Sequence, residues 1–279
     1  MLIHSFNKGG TATVDPYIIR EVTEKAEIQL VVSLQDSIWG RTNTTPYPFL
    51  VASIHNGGMI IGAFLKEELV GFCYSFPGFH QKEIYLVSHM MAVKAKDRNA
   101  GLGFKMKVKQ KEMALKRGYS KIIWTFDPLE SRNANLNIAK LGGVVKTYYP
   151  NHYGSMEDEL NGGLPSDRFL LEWDIGKLSV NPHPAGEQIP SLVTWKTIKE
   201  IPIPLSFELL SKKADTYKVP VPKNIHTIKE KDFATAETWR MMLRNVFTHL
   251  FSRGYIIHSY HKTNELVNYY IVSLNKENE

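Results

Sequence analysis

Met90-Met91-Ala92-Val93-Lys94-Ala95-Lys96-Asp97-Arg98-Asn99-Ala100-Gly101-Leu102-Gly103 is the stretch on which the reading of this chain turns. An apolar run ends at Val93 and a short polar loop comes next. Gly101-x-Gly103 then opens a basic helical pattern that reaches Arg117. Two glycines at a strand-to-helix junction let backbone N–H groups approach a ligand closely. The start of the helix adds unpaired donors and partial positive charge. Together these features predict a cradle for a phosphate or pyrophosphate.

Two common phosphate motifs do not fit. The dinucleotide fingerprint asks for a third glycine where the chain has Met106, and a P-loop asks for Gly-Lys and then Ser or Thr where the chain has Gly103-Phe104-Lys105. What remains is Arg98-x-x-Gly101-x-Gly103 behind a strand ending in Ala92-Val93. This resembles the signature of the GNAT superfamily of acyl-CoA-dependent N-acyltransferases.

The pattern around the loop extends the resemblance. Tyr17–Val22 reads as a strand, and Glu24–Trp39 as a helix carrying Ala26, Leu30, Val31, Leu34 and Ile38. Thr44-Thr45-Pro46 begins a second helix that Asn56-Gly57-Gly58 ends. Met59–Leu65 and Leu69–Phe76 form a predicted hairpin, and Ile84–Val93 the strand before the loop. After the loop and its helix come Lys121–Phe126, a helix over Asn133–Leu141, Val144–Tyr149 and Arg168–Trp173. Strand, two helices, three strands, helix, strand, helix and two strands make an α/β chain with a mixed sheet. That is also the element order of a GNAT domain, so the resemblance spans roughly residues 14–175.

The predicted domains are an acyltransferase domain over 1–176, a linker over 177–190 and a smaller α/β extension over 191–279. Asn181-Pro182-His183-Pro184-Ala185-Gly186 is the linker signal, and Pro202, Pro204, Pro220 and Pro222 punctuate the next stretch. Asp232 caps an amphipathic helix with Phe233, Ala236, Trp239, Leu243, Val246, Phe247 and Leu250 on one stripe. That stripe predicts docking onto the first domain. Tyr255–Tyr260 and Val267–Val272 predict a hairpin with an edge that a homodimer could use. The segment from Trp124 to Arg168 resembles the branch of predicted GNAT acyltransferases that carries such an extension.

The resemblance implies acetyl-CoA or another acyl-CoA as cofactor, with its diphosphate on the backbone of Arg98, Asn99, Ala100, Gly101, Leu102, Gly103 and Phe104. Its pantetheine and thioester would run along Met91, Ala92 and Val93. Arg98 either adds charge at the phosphate or is a solvated loop residue. Lys105 and Lys109 fit a solvated helix face best. Many family members place a tyrosine four residues before the glycine that ends the fourth helix, as proton donor to the leaving thiolate. Here that position is Ile138, and the position seven residues earlier, often asparagine, is Ser131. Asn133 and Asn137, one turn apart, could present two amides to cofactor or acceptor, or could serve capping and surface polarity. Tyr148, Tyr149 and Tyr153 come after that helix and could replace the missing acid, Tyr153 first among them; alternatively no dedicated acid exists, because a thiolate is a tolerable leaving group near neutral pH. His89 lies in the strand from which some family members draw a base. It titrates near neutrality, so it is either that base or a core histidine satisfied by backbone. Asp127 and Arg168 could orient an amino-acid-like acceptor or pair with each other.

The net charge of +6 favours anionic ligands without naming one. With 43% hydrophobic residues in 279, the chain has ample material for a core. The single cysteine, Cys73, excludes an internal disulfide and a Cys-rich metal site, and no metal is expected. Met1–Gly10 lacks the features of a secretory signal, and no apolar run is long enough to span a bilayer. The expectation is a soluble cytoplasmic enzyme with no membrane partner. Its acceptor is a primary amine of a small molecule or amino acid. The competing class is a non-catalytic CoA- or nucleic-acid-binding module on a degenerate acyltransferase fold, which the basic charge and Ile138 would suit. Against it, no basic arm or nucleic-acid recognition motif is present.

Overall fold

A computed structural model describes residues 15–154, 163–177, 189–207 and 214–275. Met1–Gly10 and the expected linker segment Asn181–Gly186 lie outside the described residues. The chain divides into two compact units, Met1–Tyr119 and Ser120–Glu279.

The first unit holds β1 (Tyr17–Glu21), α1 (Lys25–Trp39), α2 (Tyr47–His55), β2 (Met59–Leu65), β3 (Glu68–His80), β4 (Glu83–Val93) and α3 (Leu102–Lys116). Its strands pair antiparallel in chain order. Successive strand side chains point to opposite faces, and the two faces differ. Ile60, Phe64, Phe72, Tyr74 and Ala92 pack with Ile28, Val31 and Leu34 of α1 and Leu50 of α2. On the other face Cys73 and Ser88 meet α3, whose buried side is Leu102, Met106, Lys107, Gln110 and Ala114.

The β3–β4 register slips by one. Met90 opposes Tyr74 and Ser88 opposes Ser75, so His89 is an extra residue on β4. Such a bulge breaks the alternation locally. His89 packs against Tyr74 and Phe76, and Met90 joins the same α1/α2 core, so two neighbouring residues face one side.

The second unit holds β5 (Lys121–Phe126), α4 (Ser131–Ala134), β6 (Val144–Tyr149), β7 (Arg168–Asp174), β8 (Val193–Ile198), β9 (Ile201–Phe207), β10 (Thr216–Pro222), α5 (Ile225–Lys231), α6 (Phe233–Phe251), β11 (Tyr255–His261) and β12 (Val267–Leu274). One sheet runs in the order β5-β7-β6-β11-β12-β10, and β8 and β9 pair separately. The stretch read as an extension therefore continues the sheet of β5, β7 and β6. The buried stripe of α6 (Ala236, Trp239, Leu243, Val246, Phe247 and Leu250) is the predicted one without Phe233, which stays exposed in the first turn of the helix. Phe169 sits against Phe247 at 4.8 Å and Tyr270 at 5.5 Å.

Two expectations need correction, and a third stretch gains elements. The helix expected over Asn133–Leu141 is one α-turn that widens into a π-helical segment, Asn135–Lys140. The β11–β12 hairpin offers no free edge to a homodimer, since β6 flanks it on one side and β10 on the other. The proline-marked stretch contains strands. Pro202 and Pro204 lie two apart in β9, and Pro220 and Pro222 two apart in β10. Each of these strands has one strand partner, and β10 has besides it only a single bridge, from Lys218 to Ser191, so the missing N–H groups of each pair fall on the side away from that partner.

Candidate active site

β4 ends where Lys94 N–H donates to Val70 O at 2.8 Å, and a tight turn over Ala95–Asp97 succeeds it. Asn99 (φ 75°) and Gly101 (φ 74°) then take left-handed conformations, which asparagine and glycine tolerate best. A Cβ at Gly101 would meet nothing within 4 Å, so this position faces open space. Gly101 is the N-cap of α3 and supplies no side chain to its donors. Among the described residues no acceptor meets the N–H groups of Asn99, Ala100, Gly101, Leu102, Gly103 and Phe104. Arg98 N–H is used within the turn, donating to Ala95 O. Successive free N–H groups at a helix start form an anion-binding concavity.

The basic side chains around this loop have other partners. Arg98 Nε donates to Val93 O at 3.3 Å. Lys94 and Lys96 both reach Glu68, Lys105 reaches Asp15 at 2.5 Å, and Lys109 reaches Glu112 at 2.8 Å. Lys109 and Lys116 together hold the Glu112 carboxyl down at about 2. The cradle is therefore made of backbone, and its charged rim is largely neutralised. Leu102 is buried and anchors the helix start, whereas Phe104 is partly exposed. Met91, Ala92 and Val93 pair with Cys73, Phe72 and Gly71 along the last turn of the strand before the loop.

His89 is exposed on one side, and its ring packs 6.2 Å from Tyr74 and 5.7 Å from Phe76 on the other. Loss of water there pushes its imidazole below the ordinary histidine range. A neutral imidazole at pH 7 is the form that accepts a proton.

The remaining expected residues belong to the second unit. Asn133 is exposed and Asn137 is buried, so the two amides are not presented side by side. The π-helical segment that begins at Asn135 explains this, because it breaks the four-residue repeat. Ile138 is fully buried. Ser131 accepts from Asn268 Nδ2 at 2.8 Å and bonds Tyr260 Oη. Tyr153 is 48% exposed, its Oη is 3.1 Å from Thr125 Oγ1, and the Arg168 guanidinium lies over its ring at 5.3 Å. Tyr148 is a poor acid: burial and its bond to Asp167 push its hydroxyl far above the ordinary range.

Asp127 is committed to structure. Its Oδ1 accepts from Leu129 N–H at 2.8 Å, and its Oδ2 meets Arg240 Nη2 at 2.5 Å and Arg168 Nη1 at 3.7 Å. Asp167 accepts from Arg244, Tyr148 and Asn151 N–H. Burial would raise its carboxyl, but those bonds outweigh burial and hold it below its usual value. Arg240 and Arg244 escaped the sequence reading because they lie on α6, more than seventy residues beyond either carboxylate. Lys107 escaped it as well: in sequence it looks like one more lysine of a basic helix, yet it is 2% exposed. No group of three or more His, Cys, Asp or Glu able to hold a metal occurs among the described residues. No described helix is long and apolar enough to cross a membrane.

No family model matches the chain, and no curated protein matches it in sequence. Solved structures do resemble it. A GNAT family acetyltransferase from Elizabethkingia anophelis with acetyl-CoA bound is 17% identical, with 57% of this chain and 99% of that one covered and a TM-score of 0.43. An aminoglycoside 6′-acetyltransferase type Ii is 17% identical over 57% and 97%, with a TM-score of 0.46. The ribosomal-protein-S18-alanine N-acetyltransferase from Escherichia coli is 12% identical over 60% and 99%, also with a TM-score of 0.46.

Proposed function

We propose that this chain is a GNAT-type N-acyltransferase that moves an acetyl or other short acyl group from CoA to a primary amine of a small molecule or amino acid, in the cytoplasm. One observation carries the reading: six consecutive N–H groups, Asn99 to Phe104, that meet no acceptor among the described residues, at a helix start opened by a left-handed glycine. Such a cradle fits a diphosphate, and the neutralised rim fits a ligand held by backbone rather than by salt bridges. The N–H groups of residues 99–104 would hold the diphosphate of the acyl-CoA, with Arg98 closing the turn before them, and Met91–Val93 would flank its thioester arm. When bound, the acyl-CoA supplies an activated carbonyl. His89 takes a proton from the acceptor ammonium, so that a neutral amine can attack. Tyr153 holds a proton at its Oη beside Thr125 and serves as the acid in place of Ile138.

Calorimetry with acetyl-CoA and CoA tests the first half of the proposal, and release of free thiol across a panel of amines and amino acids tests the second. Absence of binding to either ligand would sink the reading. Binding without turnover would instead favour the non-catalytic module.

The geometry makes two substitutions informative. Gly101→Val forces a β-branched residue into a left-handed conformation, at a cost of about 1–2 kcal/mol. It also fills the open face of the cradle. Its Kd for acetyl-CoA should rise at least about tenfold, which corresponds to roughly 1.4 kcal/mol of binding. An unchanged Kd by calorimetry would exclude the loop as the diphosphate site. His89→Ala should lower kcat about a hundredfold with acetyl-CoA affinity nearly intact. In the unsubstituted protein the acidic limb of kcat/KM should lie below the ordinary histidine range. A base with a depressed pKa stays deprotonated, and so active, to lower pH. A variant with full turnover would remove His89 from the chemistry.

A further inference from the structure

On the far face of β4 from His89 lies a buried polar cluster that the proposed chemistry does not use. Ser88, the residue before the bulge, is 6% exposed. Its Oγ accepts from Lys107 Nζ at 2.7 Å and from Gln110 Nε2 at 3.1 Å, and lies 3.5 Å from Cys73 Sγ. Lys107 Nζ also donates to Gln110 Oε1 at 3.2 Å. Cys73 and Gln110 are fully buried, and Lys107 is nearly so.

An ammonium in this position is expensive. Removing it from water pulls Lys107 down to about 8, and an apolar side chain of similar length would fill the same space without that cost. What the lysine supplies is a strong charge-assisted hydrogen bond to one hydroxyl. That hydroxyl belongs to the last regularly paired residue before the extra one, since Ser88 opposes Ser75 and pairing resumes only at Met90 opposite Tyr74. The position of the extra residue within a bulge is weakly defined by the backbone ladder, because that residue has no partner across the strands. Alternative registers that put the extra residue earlier on β4, at Val87 or Ser88, would set His89 opposite Ser75 and turn it toward the α3 face. A clamp that holds Ser88 opposite Ser75 from the α3 side excludes them.

We infer that Lys107 is a positioning residue: through Ser88 it pins the β4 bulge and thereby turns His89 toward the Tyr74/Phe76 face. The inference rests on His89 as the base for its catalytic consequence, but not for its structural one. Lys107 itself is 2% exposed, which leaves no surface for an acceptor or acyl-CoA to touch. Its contribution is the orientation of a side chain on the opposite face of the sheet, where a displacement of about 1 Å is enough to cost a hundredfold in rate.

The test uses the full chain in three forms: unsubstituted, Lys107→Met and Ser88→Ala. Ser88→Ala removes the same handle with a smaller change in the core, and so answers the question if Lys107→Met does not fold. Imidazole resonances of His89, assigned by comparison with His89→Ala, report its environment directly. In both folded variants the His89 resonances and their titration midpoint should move. Turnover should fall about tenfold or more, while the Kd for acetyl-CoA changes less than twofold. His89 resonances and a midpoint identical to those of the unsubstituted chain in a folded variant would overturn the inference, whatever the turnover. Full activity of His89→Ala, by contrast, would overturn the assignment of the base and leave the resonance shifts as the measure of the clamp.

Discussion

Replacing Asp127 by alanine is expected to lower the unfolding free energy by about 3–5 kcal/mol, the range found when one partner of a buried ion pair is removed. Arg240 is 1% exposed, and its Nη2 rests on Asp127 Oδ2 at 2.5 Å. Its Nε and Nη1 meet no hydrogen-bond partner among the described residues. Deleting the carboxylate strands a guanidinium that cannot reach water, and it also removes the acceptor for Leu129 N–H. The loss should therefore far exceed that of an exposed pair such as Lys116–Glu112, for which about 0.3–0.5 kcal/mol is usual. Urea unfolding followed by tryptophan fluorescence measures both. The double variant Asp127→Ala/Arg240→Met should recover part of the loss, because it leaves no buried charge behind. A loss below about 1 kcal/mol for Asp127→Ala, within the range of exposed pairs, would show that the guanidinium finds other compensation.

The elements that were legible in the sequence share a physical cause. The strands Met59–Leu65, Lys121–Phe126 and Val144–Tyr149 match their predicted limits because each is an apolar run cut off by turn residues. The stripe on α6 was legible because one side of that helix is wholly buried. Prolines hid β9 and β10: the rule that proline breaks strands is a rule about central strands, and the sequence does not say which strands have a single partner. The helical spacing of Asn133 and Asn137 could not show the π-helical widening between them, which separates one exposed amide from one buried one. At the candidate site the cradle was legible, since glycine spacing is a local signal. The bulge at His89 and the clamp on Ser88 were not. They depend on the pairing register and on one lysine among the many of a basic helix turning inward.

A chain ended at Gly176, the boundary that the sequence suggested for the catalytic domain, is expected not to fold cooperatively. The cut passes through the sheet of the second unit. It removes β11, the neighbour of β6, and with it β12 and β10. It takes away α6, so Phe169 loses Phe247 and Phe251, and with β12 it loses Tyr270. Burying each of these aromatic side chains is worth about 1.5–3 kcal/mol. The cut also removes Arg240 from Asp127 and Arg244 from Asp167, and Asp167 is a carboxylate with no exposed surface. Each orphaned buried charge costs about 3–5 kcal/mol. Together these losses are of the order of the whole stability of a domain, about 5–15 kcal/mol. The edge of β6 would in addition be left unpaired, a template for aggregation. Residues 1–176 should be recovered in the insoluble fraction, or else lack a sigmoidal thermal transition by circular dichroism. A soluble fragment melting cooperatively within about 5 °C of the full chain, the shift expected for roughly 1–2 kcal/mol in a unit of this size, would contradict this. It would show that the C-terminal strands and α6 are an accessory layer rather than part of the unit that carries Tyr153 and Asp127.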